Sequence, residues 1–258
     1  MKQIICSLVA VLIITASHAE NIATQFKNCN AYVNLPAEYR DSAKKQYPVI
    51  LFIPGKGAFG DSMVDLFEHG PHKFINYGDT FEFTVNGKVE KPIVISIQPK
   101  DYLHPKLLDA ILTQILTTYR IDKKRVYATG ISSGCYIWMK YIDYSPQYAA
   151  RIAGVVLASA QPSYAQVAAD GTKGYKPQYF KTYNIKYWGI CGTSDGFYMD
   201  QKKFAESLKE VNAEGTIFTD FRGFGHDAKV WDVAFDPVWK SSTTGSNIYA
   251  WLLAINQP

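Results

Sequence analysis

Long apolar runs are scarce in this chain. Only one stands out, Ile4 to Ile14, and it is too short for a membrane span, which takes about 20 apolar residues. Cysteine is scarce too: Cys6, Cys29, Cys135 and Cys191 are four in 258 residues, with no Cys-x-x-Cys pair, which excludes a disulfide framework and a zinc cluster. Charge of one sign is also missing. Lys and Arg number 27 against 23 Asp and Glu, and the only basic clusters are Lys44-Lys45, Lys123-Lys124-Arg125 and Lys202-Lys203, so a solvated surface is expected and no nucleic-acid partner. No repeat, low-complexity tract or second domain boundary interrupts the sequence.

What is present is an ordinary globular composition, 47% hydrophobic and 19% charged. Met1 to Ala19 reads as a secretory signal peptide: an early Lys2, the apolar core, then small residues around Ser17-His18-Ala19. Cys6 lies inside the apolar core and not at the cut, so no lipid or other membrane anchor is expected. The mature chain then runs from about Glu20 to Pro258 as one domain, secreted or periplasmic. Its three remaining cysteines are an odd number, and Cys135 and Cys191 fall in core-like segments, so buried free thiols are expected.

Strand-like and helix-like segments alternate, the pattern of an α/β protein with a mostly parallel sheet covered by helices. Val49 to Ile53 and Ile93 to Ile97 are continuous apolar runs, as strands buried on both faces require. Pro105 through Arg120 carries Leu107, Leu108, Ile111, Leu112, Ile115 and Leu116 at helical spacing behind a first-turn proline. Arg125 to Thr129, Ile152 to Ala158, Ile185 to Cys191 and Thr216 to Phe221 read as strands. Ser133 to Tyr144, Tyr198 to Val211 and Asn247 to Leu253 read as helices. Between Gln161 and Asn184 a polar stretch without a clear period is expected to be a long loop, a candidate lid or substrate loop.

Gly130-Ile131-Ser132-Ser133-Gly134 matches G-x-S-x-G between a strand and a helix, the context of a nucleophile elbow. Three fixed positions arise by chance in roughly one chain in ten of this length, and Gly192-Thr193-Ser194-Asp195-Gly196 matches as well. Chain order separates the two. Ser132 leaves room downstream for an acid and a histidine, each after its own strand, whereas Ser194 leaves only about 30 residues before the last histidine. The second match serves better as the turn carrying the acid, Asp195, with Asp200, Asp227 and Asp236 in reserve.

His226, in Gly223-Phe224-Gly225-His226-Asp227, follows the last strand. His69, His72 and His104 precede the elbow, the wrong order, and Gly70-Pro71 keeps His69 and His72 from pairing on one helix face as metal ligands. The reading is therefore a catalytic triad of Ser132, Asp195 and His226, with His226 as base, Asp195 as its orienter, and no metal or cofactor. Backbone N–H groups of Ser133 and of the Pro54-Gly55-Lys56-Gly57 loop are expected to form the oxyanion hole, Lys56 first and Gly57 next. That loop lacks the G-x-x-x-x-G-K-S/T of a phosphate loop.

On these residues the chain resembles the secreted esterases of the α/β-hydrolase superfamily, near the phospholipase/carboxylesterase and feruloyl- or acetylxylan-esterase-like groups. Leu35-Pro36-Ala37-Glu38-Tyr39 ahead of Tyr47 to Phe52, His69-Gly70-Pro71, Tyr144 to Ala150, and Gly225-His226-Asp227 with Trp231 and Tyr249 to Leu252 carry the likeness along most of the chain. Two positions depart from it. Pro54-Gly55 stands where the group usually has His-Gly, and Gly134-Cys135 where it has Gly-Gly. The resemblance implies a serine esterase acting on a small-molecule or carbohydrate ester, with acyl or feruloyl groups as the cleaved part. A secreted peptidase of the same fold and an inactive, glycan-binding hydrolase fold are the alternatives.

Overall fold

The computed structural model describes residues 20–160 and 176–255. The expected leader, Met1 to Ala19, and residues 161–175 of the expected loop lie outside them.

Ten strands are described: β1 (Glu20–Phe26), β2 (Cys29–Leu35), β3 (Tyr47–Ile53), β4 (Phe83–Val85), β5 (Lys88–Glu90), β6 (Ile93–Gln98), β7 (Ile121–Ile131), β8 (Gly154–Ala158), β9 (Lys186–Gly192) and β10 (Thr216–Phe221). Eight build one sheet in the order β1-β2-β6-β3-β7-β8-β9-β10, and β4 and β5 pair separately. From β6 through β10 the neighbours are parallel, while β2 is antiparallel to both β1 and β6. Only β2 runs against the rest.

The helices are α1 (Pro71–Asn76), α2 (Pro105–Thr118), α3 (Ser133–Tyr144), α4 (Pro146–Ala149), α5 (Pro177–Thr182), α6 (Tyr198–Asn212), α7 (Ala228–Phe235) and α8 (Ile248–Leu253). They cover both faces, as the sequence pattern predicted. All seven residues of β3 are buried. Because side chains alternate along a strand, Val49, Leu51 and Ile53 point into one core, with α2, α3 and α6, and Ile50 and Phe52 into the other, with α7, α8 and the β4–β5 pair. The helical stripe on α2 buries Leu108, Ile111, Leu112 and Ile115 and leaves Leu107 40% exposed on the outer side. Its N-terminus is capped by His104, whose side chain accepts from the Lys106 N–H, with Pro105 at the first helical position.

The structure differs from expectation in several places. The tail of the expected loop, Pro177–Thr182, is the helix α5, which buries Phe180. β7 begins four residues early, at Ile121, where Lys123 and Lys124 stay exposed and so hide the strand from a hydrophobicity reading. β1, β2, the β4–β5 hairpin, α1, α4 and α7 had no counterpart in the sequence reading. Cys29, Cys135 and Cys191 are buried free thiols, as expected.

Candidate active site

The C-terminal ends of β3, β7, β8, β9 and β10 lie side by side, and in open α/β sheets the loops at those ends form the ligand crevice. β7 passes straight into α3 through Ser132, whose backbone sits at φ 50°, ψ −113°. A non-glycine residue is strained there and is held only by its surroundings. Those surroundings are glycines for a steric reason. A Cβ on Gly134 would stand 2.0 Å from the Ile53 carbonyl oxygen, and one on Gly130 would stand 2.9 Å from the Gly134 carbonyl carbon. Helix α3 therefore packs against the end of β3 at backbone distance, and the turn throws the Ser132 side chain outward.

His226 bridges the other two candidate residues. Its Nε2 lies 2.9 Å from Ser132 Oγ and its Nδ1 2.8 Å from Asp195 Oδ2. An ionised Asp195 only accepts, so Nδ1 carries the proton toward it and Nε2 is left to accept from the Ser132 hydroxyl. The Asp195 side chain is fully buried, and its Oδ1 accepts from the Phe197 N–H at 2.9 Å. Burial by itself would raise this carboxyl, but the hydrogen bonds from His226 and Phe197 and the His226 charge hold it below the usual carboxylate range. Asp195 is the acid the structure brings to His226. Asp200 is exposed on α6, Asp227 caps α7 by accepting from the Lys229 N–H, and Asp236 accepts from the Val238 N–H.

The second G-x-S-x-G match is explained by packing. A Cβ on Gly192 would come within 2.2 Å of the Phe224 carbonyl oxygen, whereas Gly196 has nothing near it. The acid turn and the histidine loop are joined by the Thr193 N–H to Phe221 O, the Ser194 N–H to Phe224 O, both at 2.9 Å, and the Gly223 N–H to Thr193 Oγ1 at 2.8 Å. Ser194 is thus part of the brace that aligns Asp195 with His226.

The other three described histidines are committed elsewhere. His69 Nδ1 meets Asp232 at 3.0 Å, with Lys73 on the other carboxylate oxygen, and His104 caps α2. His72 is fully buried with Nδ1 2.5 Å from Ser96 Oγ, and burial lowers its pKa to about 3. Among the described residues no group of three or more His, Cys, Asp or Glu could hold a metal ion.

Lys56 opens the short 3₁₀ turn Lys56–Ala58 after β3, and Ser133 opens α3. The first N–H groups of such turns precede their internal hydrogen bonds and point outward. The loop comes close to Ser132, since a Cβ on Gly55 would lie 3.5 Å from Ser132 Cβ. Pro54 is buried and leaves this approach intact.

Aromatic rings pack against His226 and beside Ser133. On the histidine side the rings of Phe197 and Trp231 lie 5.1 and 5.3 Å from the His226 ring, edge to face. On the other side the Tyr102 hydroxyl is 3.0 Å from Ser133 Oγ, with Phe59 edge-on to its ring and the Lys56 ammonium 5.6 Å from its centre. Phe197 and Tyr102 were not among the sequence candidates. Their signal was positional, because each follows the C-terminal end of a parallel strand. Trp188, by contrast, is fully buried core.

No family model and no curated protein sequence matches the chain. Solved structures do. An S-formylglutathione hydrolase from Staphylococcus aureus is 17% identical over 87% of this chain and 96% of its own, with a TM-score of 0.60. A fluorophosphonate-binding serine hydrolase of the same organism, solved with substrate bound, is 18% identical over 84% and 95%, with a TM-score of 0.61. The feruloyl esterase module of Clostridium thermocellum, complexed with sinapinate, is 13% identical over 83% and 84%, with a TM-score of 0.59. The chain has the α/β-hydrolase fold.

Proposed function

We propose that the chain is a serine esterase that hydrolyses carboxylic esters through an acyl-enzyme on Ser132. The observation that carries this reading is the single imidazole of His226 standing 2.9 Å from Ser132 Oγ and 2.8 Å from Asp195 Oδ2. A serine hydroxyl is a weak nucleophile at neutral pH. His226 takes its proton as Oγ attacks the ester carbonyl, and Asp195 stabilises the imidazolium that results. The oxyanion of the tetrahedral intermediate accepts from the N–H groups of Ser133 and Lys56, and each such donor contributes about 3–4 kcal/mol to the transition state. His226 then protonates the leaving alcohol, and a water activated by the same imidazole releases the acid. Every step uses side chains and backbone groups of this chain and no cofactor.

The substrate reading is an acyl or feruloyl ester, free or carried on a carbohydrate. It is supported by the aromatic rings around His226 and Ser133, which suit a planar acyl group or a sugar face, and by likeness to a feruloyl esterase module solved with sinapinate. Export is part of the proposal and rests on the Met1 to Ala19 leader.

A panel of p-nitrophenyl esters, feruloyl esters, acetylated xylan and peptide amides tests it. Turnover of esters that Ser132→Ala abolishes is expected. Turnover of amides alone would make the protein a peptidase, and no turnover by folded protein would favour a binding role.

A further inference from the structure

His226 sits in a loop with its side chain 31% exposed, and its two hydrogen bonds, to Ser132 and Asp195, both leave from ring nitrogens. Bonds in the ring plane fix the two nitrogens but leave the ring free to tilt about the line joining them. Packing has to limit that tilt. One neighbour is Phe197, at the N-terminus of α6, and the other is Trp231 on α7, with its plane at 83° to the imidazole.

Trp231 has a second imidazole beside it. The His69 ring lies 5.1 Å away at 74°, also edge to face. The indole N–H is buried and meets no acceptor among the described residues, although a buried tryptophan usually finds one. Ring packing, and no hydrogen bond, therefore holds this indole.

His69 is fixed in turn from the next residue of α7. Asp232 accepts from His69 Nδ1 at 3.0 Å on Oδ1 and from Lys73 Nζ at 2.7 Å on Oδ2. Both partners come from the other helix, His69 just ahead of α1 and Lys73 within it. Gly70 between them lies at φ 86°, and a Cβ there would stand 2.4 Å from Phe52 Cζ on β3. Phe235, at the end of α7, packs edge-on to the same Phe52 ring at 5.2 Å. The two helices thus share one seat on β3, and Asp232 ties them together. The three charged side chains are 21–34% exposed, and ion pairs open to water add little stability, so what they fix is geometry.

We propose that Trp231 and Asp232 are positioning residues for the catalytic base: Asp232 holds His69 against the indole, and the indole holds the His226 imidazole in line between Ser132 and Asp195. The proposal rests on the triad reading above. Contacts run unbroken from Lys73 through Asp232, His69 and Trp231 to His226, so α1 supports a side chain that none of its residues bonds.

A double-mutant cycle on a p-nitrophenyl ester tests it. Trp231→Ala is expected to lower kcat at least about tenfold with KM within about threefold, and Trp231→Phe, which keeps an aromatic edge, to recover most of that loss. Asp232→Asn loosens His69 without touching the triad's hydrogen bonds. Alone it is expected to lower kcat about three- to fivefold, and added to Trp231→Ala it is expected to lower kcat no further. A lost charge acting directly on His226 would still be felt without the indole. Wild-type kcat in Trp231→Ala, or an Asp232→Asn loss of the same size in both backgrounds, would overturn the proposal. Thermal melting checks each variant, and Trp231→Leu replaces Trp231→Ala in the cycle if the alanine variant is unfolded at the assay temperature. Wild-type turnover and its loss in Ser132→Ala keep the two readings apart. If both are seen and the cycle is additive, only the positioning role falls; if wild-type turnover survives Ser132→Ala, the triad falls and takes this proposal with it.

Discussion

At the scale of single residues, the same chemical group is poised or silenced by its neighbours. Histidine His226 is reachable and flanked by a serine and a buried carboxylate, while His72 is sealed in the core against Ser96 with its pKa lowered to about 3. Carboxylates show the same contrast. Hydrogen bonds and charge hold Asp195 low, so it stays ionised at neutral pH, whereas burial raises Asp143, on α3, to about 7 against the Lys176 N–H and nearby lysine charge.

The linkage for Asp143 has a definite sign. Its folded-state pKa is above its unfolded value, so the folded protein binds a proton that the unfolded chain has lost, and stability falls as pH rises from about 4 to about 7. Asp143→Asn removes that loss. Urea unfolding at two pH values is expected to show the variant about 1–3 kcal/mol more stable than wild type at pH 8 and equal to it near pH 4. Equal stabilities at pH 8 would show that Asp143 is ionised at no cost.

At the scale of elements, what the sequence revealed follows from how each element is buried. β3 and β6 are apolar at every position or nearly so because both faces are covered, and Ser132's strand–turn–helix setting carries its own glycine signature. β1 and β2 were missed because they are rich in polar residues. Asn30 and Asn34 are buried in β2, and Asn30 earns its place by bonding Gln25 and the Asp61 carbonyl, which no hydrophobic pattern announces. The β4–β5 hairpin was available: its turn is Asn86-Gly87, both at positive φ, and Asn-Gly between short strands is a strong hairpin signal. Helix α7 is only eight residues long, too short for its period to stand out, although Asp227 caps it.

The acid turn and histidine loop belong to the element scale as well, because they act as one piece. Gly192→Ala would press a methyl into the Phe224 carbonyl and push the His226 loop away from Ser132. Displacements near 1 Å cost about a hundredfold in rate, so the variant is expected to lose at least about tenfold in kcat while circular dichroism still reports a folded sheet. Undiminished turnover would show that the loop yields without disturbing His226.

At the scale of the whole molecule, the sheet separates two cores and presents its C-terminal edge as a line of loops, carrying Lys56 after β3, Ser132 after β7, Asp195 after β9 and His226 after β10. Ser132 and His226, 94 positions apart, become neighbours only through this topology. The candidate site was legible because chain order in such a sheet constrains which residues can meet; its aromatic rings were not, because ring packing depends on loop paths that periodicity does not encode. Export is argued at this scale too. N-terminal sequencing of protein recovered outside the cytoplasm is expected to begin near Glu20, and a retained Met1 would contradict the leader.

The central claim is that Ser132 is the nucleophile that His226 activates. The most direct measurement is labelling of the folded protein with a fluorophosphonate, followed by mass spectrometry of the modified peptide. The account predicts a single adduct on Ser132, absent in Ser132→Ala and strongly slowed in His226→Ala. An adduct on Ser194, an adduct that survives Ser132→Ala, or no adduct on folded wild-type protein would contradict it.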